Sequence, residues 1–164
     1  MRILGIDPGS RVTGYGVIDS NGVTSRHVSS GCIRTENEDF SSRLGEIFLG
    51  IQEVIRAEKP DEVAVEQVFV ARNPSSALKL GHARGAAVTA VVTLGLTVAE
   101  YTPRAVKKAL VGTGAAEKEQ VQHMIRLLLG VSGKMGLDES DALAIALCHA
   151  HSSVTHLKIR GTVG

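Results

Sequence analysis

Four carboxylates stand near predicted ends of secondary-structure elements, where α/β proteins often place their reactive groups. Asp7 ends the apolar run RILGID and is followed by the turn residues Pro8-Gly9-Ser10, while Glu66 lies late in the run EVAVEQVFV. Asp138 and Asp141 stand three residues apart at the start of the last predicted helix, so they share one face of it. If the two strands are parallel neighbours, Asp7 and Glu66 lie near the same edge of the sheet.

Most of these acids also have a purely structural explanation. An aspartate before Pro-Gly commonly starts a turn, and acids in a first helical turn are favoured by capping and by the helix dipole. Glu66 is harder to explain in this way, because an unpaired carboxylate in a core strand is costly to bury. No Lys or Arg lies near it in the sequence.

Taken together, four acids without matching buried bases predict a cation site. Their repulsion is tolerable around a multivalent ion, and oxygen-rich sites of this kind suit Mg²⁺ or Mn²⁺. Two such ions side by side are an established device for hydrolysing phosphodiesters in line. We therefore expect a metal-dependent nuclease that uses Mg²⁺, with Mn²⁺ able to substitute and two ions per active site.

The pattern of apolar residues predicts the elements that must position these acids. The predicted strands are 2–7, 12–19, 22–35, 62–70 and 96–102. A long amphipathic helix before Pro60 separates the third strand from the fourth, so we expect the fourth strand to run parallel to the first and beside it. Further helices follow in the second half, the last of them capped by Asp138. The expected fold class is α/β, with a mixed five-stranded sheet, its first three strands antiparallel, and helices on both faces.

Length and composition bound the remaining possibilities. The 164 residues suggest one domain, assigned to residues 1–151, and residues 152–164 show no period and are expected to form a flexible tail. The longest apolar run is too short and too interrupted to span a membrane, and no signal peptide is visible. With two cysteines and no secretory signal, we expect a cytoplasmic protein with reduced thiols.

Charge is distributed unevenly along the chain, which indicates a polyanionic partner. Residues 72–126 carry eight Lys or Arg against three Asp or Glu, whereas residues 1–71 carry seven against eleven. The candidate DNA contacts are Phe69, Arg72, Asn73, Lys107 and Lys118. Phe69 could stack on an unpaired base, or it could be a core residue. The lysines could bind a phosphate, or they could be solvated surface residues.

Small residues recur at four-residue spacing in the helix that begins at Asn73-Pro74. Ala77, Gly81 and Gly85 form this stripe, and it allows another backbone to approach closely. The neighbour could be the sheet or a helix related by twofold symmetry, and the sequence leaves both open.

Five stretches of the chain together resemble the RuvC family of bacterial Holliday-junction resolvases: GIDPGSRVTGYG, VAVEQVF, NPSSALKLGHARG, YTPRAVKKALVGTGAAEKEQVQHMI and DESDALAIA. The resemblance covers nearly the whole length. It implies an RNase H-like fold, a homodimer, and a catalytic tetrad at Asp7, Glu66, Asp138 and Asp141. Some members of the family carry His at the position of Asp138.

The resemblance also implies a reaction and its partners. The reaction is paired nicking of two strands of like polarity at a four-way junction, which leaves 5′-phosphates and 3′-hydroxyls. The family's junction-contacting aromatic matches Phe69, its phosphate-contacting lysines match Lys107 and Lys118, and the branch-migration complex RuvAB is the usual partner.

Three other readings stay open at this point. Actin-type and sugar-kinase-type ATPases also begin with a strand ending in D-x-G-S/T, but they need two such halves and a glycine-rich adenosine loop. A non-catalytic junction-binding module would use the basic surface without needing converging acids. A RuvC-like nuclease with a different substrate would carry the same acids.

Overall fold

Five strands form one mixed sheet in the order β3-β2-β1-β4-β5. In a computed structural model, residues 1–67 and 73–160 are described, with side chains of the last helix described to Ser153. The strands are β1 (Arg2–Asp7), β2 (Val12–Ser20), β3 (Ser25–Arg34), β4 (Glu62–Glu66) and β5 (Val98–Tyr101). The helices are α1 (Phe40–Glu58), α2 (Pro74–Val92), α3 (Pro103–Val111), α4 (Lys118–Leu129) and α5 (Leu137–Arg160).

Strand directions follow from the connections between them. Short turns join β1, β2 and β3, which therefore pair antiparallel, whereas β4 is reached through α1 and pairs parallel with β1. β5 extends the sheet in parallel on the other side of β4. The α/β fold class and the mixed five-stranded sheet are confirmed.

Two cores lie on opposite faces of the sheet because neighbouring residues of a strand point to opposite sides. Leu4, Ile6 and Val65 face α1 and α2 and are fully buried there. Ile3 and Ala64 face α3, α4 and α5 on the other side. Helices thus cover both faces, as predicted.

Glycines on β1 and β2 allow α5 to lie unusually close to the sheet. A Cβ atom at Gly5 would come within 2.1 Å of the carbonyl oxygen of Ala142, and one at Gly14 within 2.2 Å of that of Asp138. Gly16 pairs with Gly5 in the sheet and likewise packs against Leu143 of α5. Since real Cβ atoms essentially never approach heavy atoms closer than 3.0 Å, any side chain at Gly5 or Gly14 would displace the helix.

Several helix boundaries agree with the sequence patterns. The side chain of Asn73 accepts from the backbone N–H of Ser75 and caps α2, and that of Thr102 accepts from the N–H of Ala105 and caps α3. Gly130 ends α4 in the left-handed conformation, with φ of 63°.

Other predicted boundaries need correction. Asp138 does not cap the last helix, which begins one residue earlier at Leu137, with the carbonyl of Gly136 accepting from the N–H of Ser140. The same helix continues to Arg160, so the predicted domain boundary after residue 151 falls inside it. The flexibility of the tail stays a prediction. β3 and β5 are shorter than expected, and β4 ends at Glu66, with part of its predicted length (68–70) outside the described residues.

Among the described residues, no helix combines the length and apolarity that crossing a membrane requires.

Candidate active site

Asp7 and Glu66 are neighbours at the carboxyl ends of two parallel strands. β1 and β4 pair in register up to Ile6 and Val65, and the two acids are the next residues on each strand. They project to the face that carries α5, because Gly5 and Ala64, two residues earlier on each strand, face the same side. The sheet therefore brings together two carboxylates that are far apart in the sequence.

A cavity of about 310 Å³ collects these acids with a third acid and two lysines. Asp141 reaches it from the first turns of α5, Lys107 from α3, and Lys118 from the first position of α4. Among the described residues, the rest of the lining is apolar and consists of Pro103, Val106, Val121 and Ala144. Three of the four predicted acids and both predicted lysines thus share one cavity.

The carboxylates in this cavity repel one another. The pKa of Asp7 is raised to about 7, mainly by burial and then by the negative charges of Glu66, Asp141 and Asp138. The pKa of Glu66 is also raised, mainly by burial and then by Asp141. In both cases Lys118 acts in the opposite direction. Such mutual repulsion is what a bound cation relieves.

Lys118 forms a direct ion pair within the site. Its Nζ lies 2.8 Å from Oδ2 of Asp141, and this hydrogen bond raises the pKa of the ammonium group. The start of α4 is fixed by a capping box, in which the side chains of Glu117 and Gln120 bond reciprocally to each other's backbone N–H groups. The ammonium position is therefore set by a well-defined helix start.

Asp138 lies beside the cavity without lining it. Its charge reaches Asp7, since it contributes to the raised pKa of that carboxyl, and its backbone packs on Gly14. Across the described part of the chain, no three His, Cys, Asp or Glu side chains stand close enough together to hold a metal ion as they are oriented. The acids converge on one cavity but are not drawn into a ligand shell, and the role of all four as ligands stays a prediction.

The donor set nevertheless fits a hard divalent cation. Asp7, Glu66 and Asp141 offer carboxylate oxygens to a cavity with room for an ion, and these are the ligands that Mg²⁺ and Mn²⁺ prefer.

The other predicted DNA contacts are placed differently. Phe69 and Arg72 lie outside the described residues. Asn73 is exposed and uses its side-chain oxygen to cap α2. The sequence predicted both a helix cap and a DNA contact at Asn73. The cap is observed, and the DNA contact stays a prediction.

Two further interactions around Glu66 were not anticipated from the sequence. Arg84 of α2 donates from Nε to the backbone carbonyl of Glu66 at 3.2 Å and pairs with Glu100 at 2.8 Å. Tyr101, the partner of Glu66 on β5, has its hydroxyl 2.8 Å from Nδ1 of the buried His149.

The second nitrogen of His149 is hydrogen-bonded to the carboxylate of Glu62. Because a carboxylate only accepts, a neutral His149 ring donates from Nε2 to Glu62 and accepts a hydrogen bond from the Tyr101 hydroxyl at Nδ1. Glu62 and Glu66 lie on the same face of β4. The two-residue alternation of a strand could have predicted that shared face from the sequence, but it could not have predicted the partner His149.

The chain is similar to known proteins over most of its length. The profile of the family "Crossover junction endodeoxyribonuclease RuvC" matches residues 3–149. A protein of that name from Tolumonas auensis is 55% identical over 161 residues, covering 98% of this chain and 93% of the relative.

Solved structures match as well. The structure "T. thermophilus RuvC in complex with Holliday junction substrate" superposes with a TM-score of 0.89 at 36% identity, covering 95% of this chain and 96% of the other. The yeast mitochondrial Holliday junction resolvase shares the fold, with a TM-score of 0.66 at 14% identity over 94% of this chain and 80% of its own. These resolvases are RNase H-like, which confirms the predicted fold class.

Proposed function

Since this chain belongs to the RuvC family of crossover junction endodeoxyribonucleases, we propose that it resolves four-way DNA junctions by paired, symmetric nicks in strands of like polarity. The observation that carries this proposal is the convergence of Asp7, Glu66 and Asp141 with Lys107 and Lys118 in one cavity. The non-catalytic module gains no support, because it has no need of converging acids. The ATPase gains none, because residues 3–149 match an endodeoxyribonuclease family. The products are a 5′-phosphate and a 3′-hydroxyl, which ligase can seal.

Asp7, Glu66, Asp138 and Asp141 would hold Mg²⁺, two ions per site in the form that we propose, with Mn²⁺ as a substitute. When bound, the ions activate water and offset negative charge at the phosphorus. The acids contribute ligand oxygens, and their mutual repulsion, visible in the raised pKa of Asp7, favours cation binding.

Lys118 and Lys107 would bind the oxygens of the cleaved phosphate. Lys118 is paired with Asp141 and is about half exposed, so its ammonium group is within reach of DNA entering the cavity. A cation held in place where negative charge develops stabilises the transition state. Both lysines thus position the phosphate and lower the barrier.

Phe69, Arg72 and Asn73 would contact the junction beside this cavity. They follow Glu66, the last residue of β4, by three to seven positions in the sequence. We propose that Phe69 stacks on an unpaired base at the crossover, with Arg72 and Asn73 at the backbone.

We also propose that the protein is a homodimer assembled through α2. Gly81 and Gly85 are exposed, and a Cβ atom at either would meet nothing within 4 Å. Leu78 and Val92 on the same helix are 65% and 50% exposed. An open, partly apolar helix face suits a twofold partner, and a twofold junction needs two symmetry-related centres.

Changing Gly81→Arg tests this interface. The charge should convert the dimer to a monomer that nicks single strands without pairing the cuts, as measured by analytical ultracentrifugation and strand-specific gels. His123→Arg on α4, on the opposite face of the sheet, is the control and should stay dimeric. An unchanged Gly81→Arg dimer would place the interface elsewhere.

We also propose that the branch-migration complex RuvAB is the partner of this protein and that the protein is cytoplasmic. Both rest on the family relationship.

A synthetic junction with a mobile core tests the activity itself. With each of the four strands labelled in turn, Mg²⁺ should give symmetric nicks in two strands of like polarity, and ligase should reseal the products. Asp141→Asn should abolish nicking while the junction is still retained in a gel with Ca²⁺, because the basic surface is untouched. If the unaltered protein retains the junction without nicking it, the protein is a binding module. If Asp141→Asn still nicks, Asp141 is not required for the reaction.

A further inference from the structure

We infer that Glu139, which lies between Asp138 and Asp141, is a positioning residue that holds the first turns of α5 at the active-site cavity. This inference rests on the proposed function, since it concerns how the ligand-bearing turn is held. Glu139 was not singled out from the sequence, where it reads as a surface acid near a helix start.

The first turn of α5 lies across a row of three residues in the sheet. Asp7 pairs with Gly14, and Gly14 pairs with Cys32, so the three side-chain positions face α5 side by side. The carbonyl of Asp138 sits over Gly14, at 2.2 Å from where a Cβ would stand. The first turn of α5 therefore cannot move closer to the sheet. Its orientation depends on the contacts that hold the start of the helix on the side away from Asp7.

Glu139 fixes that side through both of its carboxylate oxygens. Oε2 accepts from the backbone N–H of Gly136 at 2.8 Å, and Gly136 is the residue whose carbonyl begins the helix. Oε1 accepts from the hydroxyl of Ser30 on β3 at 3.4 Å, and that hydroxyl also lies 3.0 Å from Nε2 of His27. One side chain thus closes the helix start and ties it to the edge of the sheet.

Glu139 occupies the third position of the helix, where a Glu or Gln commonly reaches back to the capping residue. An aspartate at a helix start often performs the capping itself, which would use the side-chain oxygens that a cation needs. Here Glu139 serves the exposed N–H of Gly136. Asp138 and Asp141 are left to the site, where both act on Asp7 and Asp141 lines the cavity.

Two substitutions at Glu139 separate positioning from a general loss of stability. Glu139→Ala removes both hydrogen bonds and should raise the Kd for Mn²⁺, measured without DNA by isothermal titration, by about tenfold, as expected when support of a metal ligand is lost. The Mg²⁺ concentration for half-maximal nicking should rise equally. Glu139→Gln should stay within about twofold of the unaltered protein, because its amide oxygen accepts the same N–H.

Asp39→Ala is the matched control. Asp39 caps α1 by accepting from the N–H of Ser42 at 2.7 Å, and α1 packs on the opposite face of the sheet. Its loss should lower the melting temperature about as much as Glu139→Ala does while leaving Mn²⁺ binding unchanged. Junction affinity in Ca²⁺ should be unaltered in all three variants.

Unchanged Mn²⁺ binding by Glu139→Ala would overturn the inference, and so would an equal loss in the Gln and Ala variants, since the hydrogen bond would then not be the cause. Asp141→Asn distinguishes this failure from failure of the proposed function. If Asp141→Asn is inactive and Glu139→Ala binds Mn²⁺ normally, the proposed function stands and only the role of Glu139 is lost.

Discussion

Replacing Gly14 with alanine should separate the folded state from the active one. The added Cβ would stand 2.2 Å from the carbonyl oxygen and 2.6 Å from the carbonyl carbon of Asp138. Both atoms belong to the backbone, so no side-chain rotation relieves the overlap, and the start of α5 must retreat by about 1 Å. Overpacking of this kind costs about 1–3 kcal/mol of unfolding free energy, which a domain of this size can tolerate.

The displacement falls on the turn that carries Asp138 and leads to Asp141. Because about 1 Å of misplacement in a catalytic array can cost on the order of 100-fold in rate, nicking should fall far more than stability does. Junction affinity in Ca²⁺ should change little, since the basic residues are untouched.

The assay compares three quantities for Gly14→Ala: the free energy of unfolding in urea, the junction Kd in Ca²⁺, and the single-turnover nicking rate in saturating Mg²⁺. Gly45→Ala is the control, because Gly45 is an exposed residue of α1 where a Cβ meets nothing within 4 Å. That change should stabilise the helix by about 0.5–1 kcal/mol and leave the rate unaltered. A Gly14→Ala protein that nicks at the normal rate would refute the argument that close packing at Gly14 sets the position of the acids.

Three further outcomes are expected. Because the pKa of Asp7 is about 7 in the folded protein against an ordinary 3.8, the folded state binds the extra proton between these values and stability falls as pH rises through that window. Asp7→Asn should therefore be more stable than the unaltered protein by on the order of 2–4 kcal/mol at pH 8 in EDTA, as measured by urea unfolding. At pH 4 the two proteins should be about equally stable. Equal stability at pH 8 would contradict the burial of this charge. Lys118→Ala removes the 2.8 Å pair with Asp141 and should slow nicking about 10- to 1,000-fold, while the slope of log K against log salt changes by no more than about one; an unchanged rate would exclude the ammonium group from the reaction. His149→Leu removes the ring that bonds the Tyr101 hydroxyl and should lower the free energy of unfolding in urea by about 1–3 kcal/mol. If this hydrogen bond is the cause, His149→Leu should cost less when Tyr101 is already replaced by Phe, which a double-mutant cycle measures.

Local patterns were sufficient to predict most of the elements, because these patterns report burial directly. The apolar runs of β1 and β4 predicted buried strands, and Asn73 and Thr102 predicted the starts of α2 and α3, since side-chain caps act over two or three residues. Asp7 and Glu66 could be paired in advance because a crossover through a helix makes two strands parallel.

Local patterns failed where a distant segment supplies the partner. Asp138 was assigned as a cap by the usual preference of aspartate, but Glu139 serves that helix start and is itself held by Ser30, which is 109 residues away. The continuation of α5 beyond residue 151 was missed because residues 152–160 carry no amphipathic period.

From the sequence alone came the fold class and the candidate acids, because strand alternation, helix period and turn residues act between near neighbours in the chain. The family resemblance also came from the sequence, through five matching stretches. The tertiary structure decided how close the acids come: glycines 5, 14 and 16 admit α5 to within contact of the strand backbones. It also decided which basic side chain pairs with which acidic residue. Lys118 forms an ion pair with Asp141, 23 residues away, and Arg84 donates a hydrogen bond to the backbone of Glu66. Electrostatic pairing and close packing depend on distance in space, and the order of residues along the chain does not state that distance.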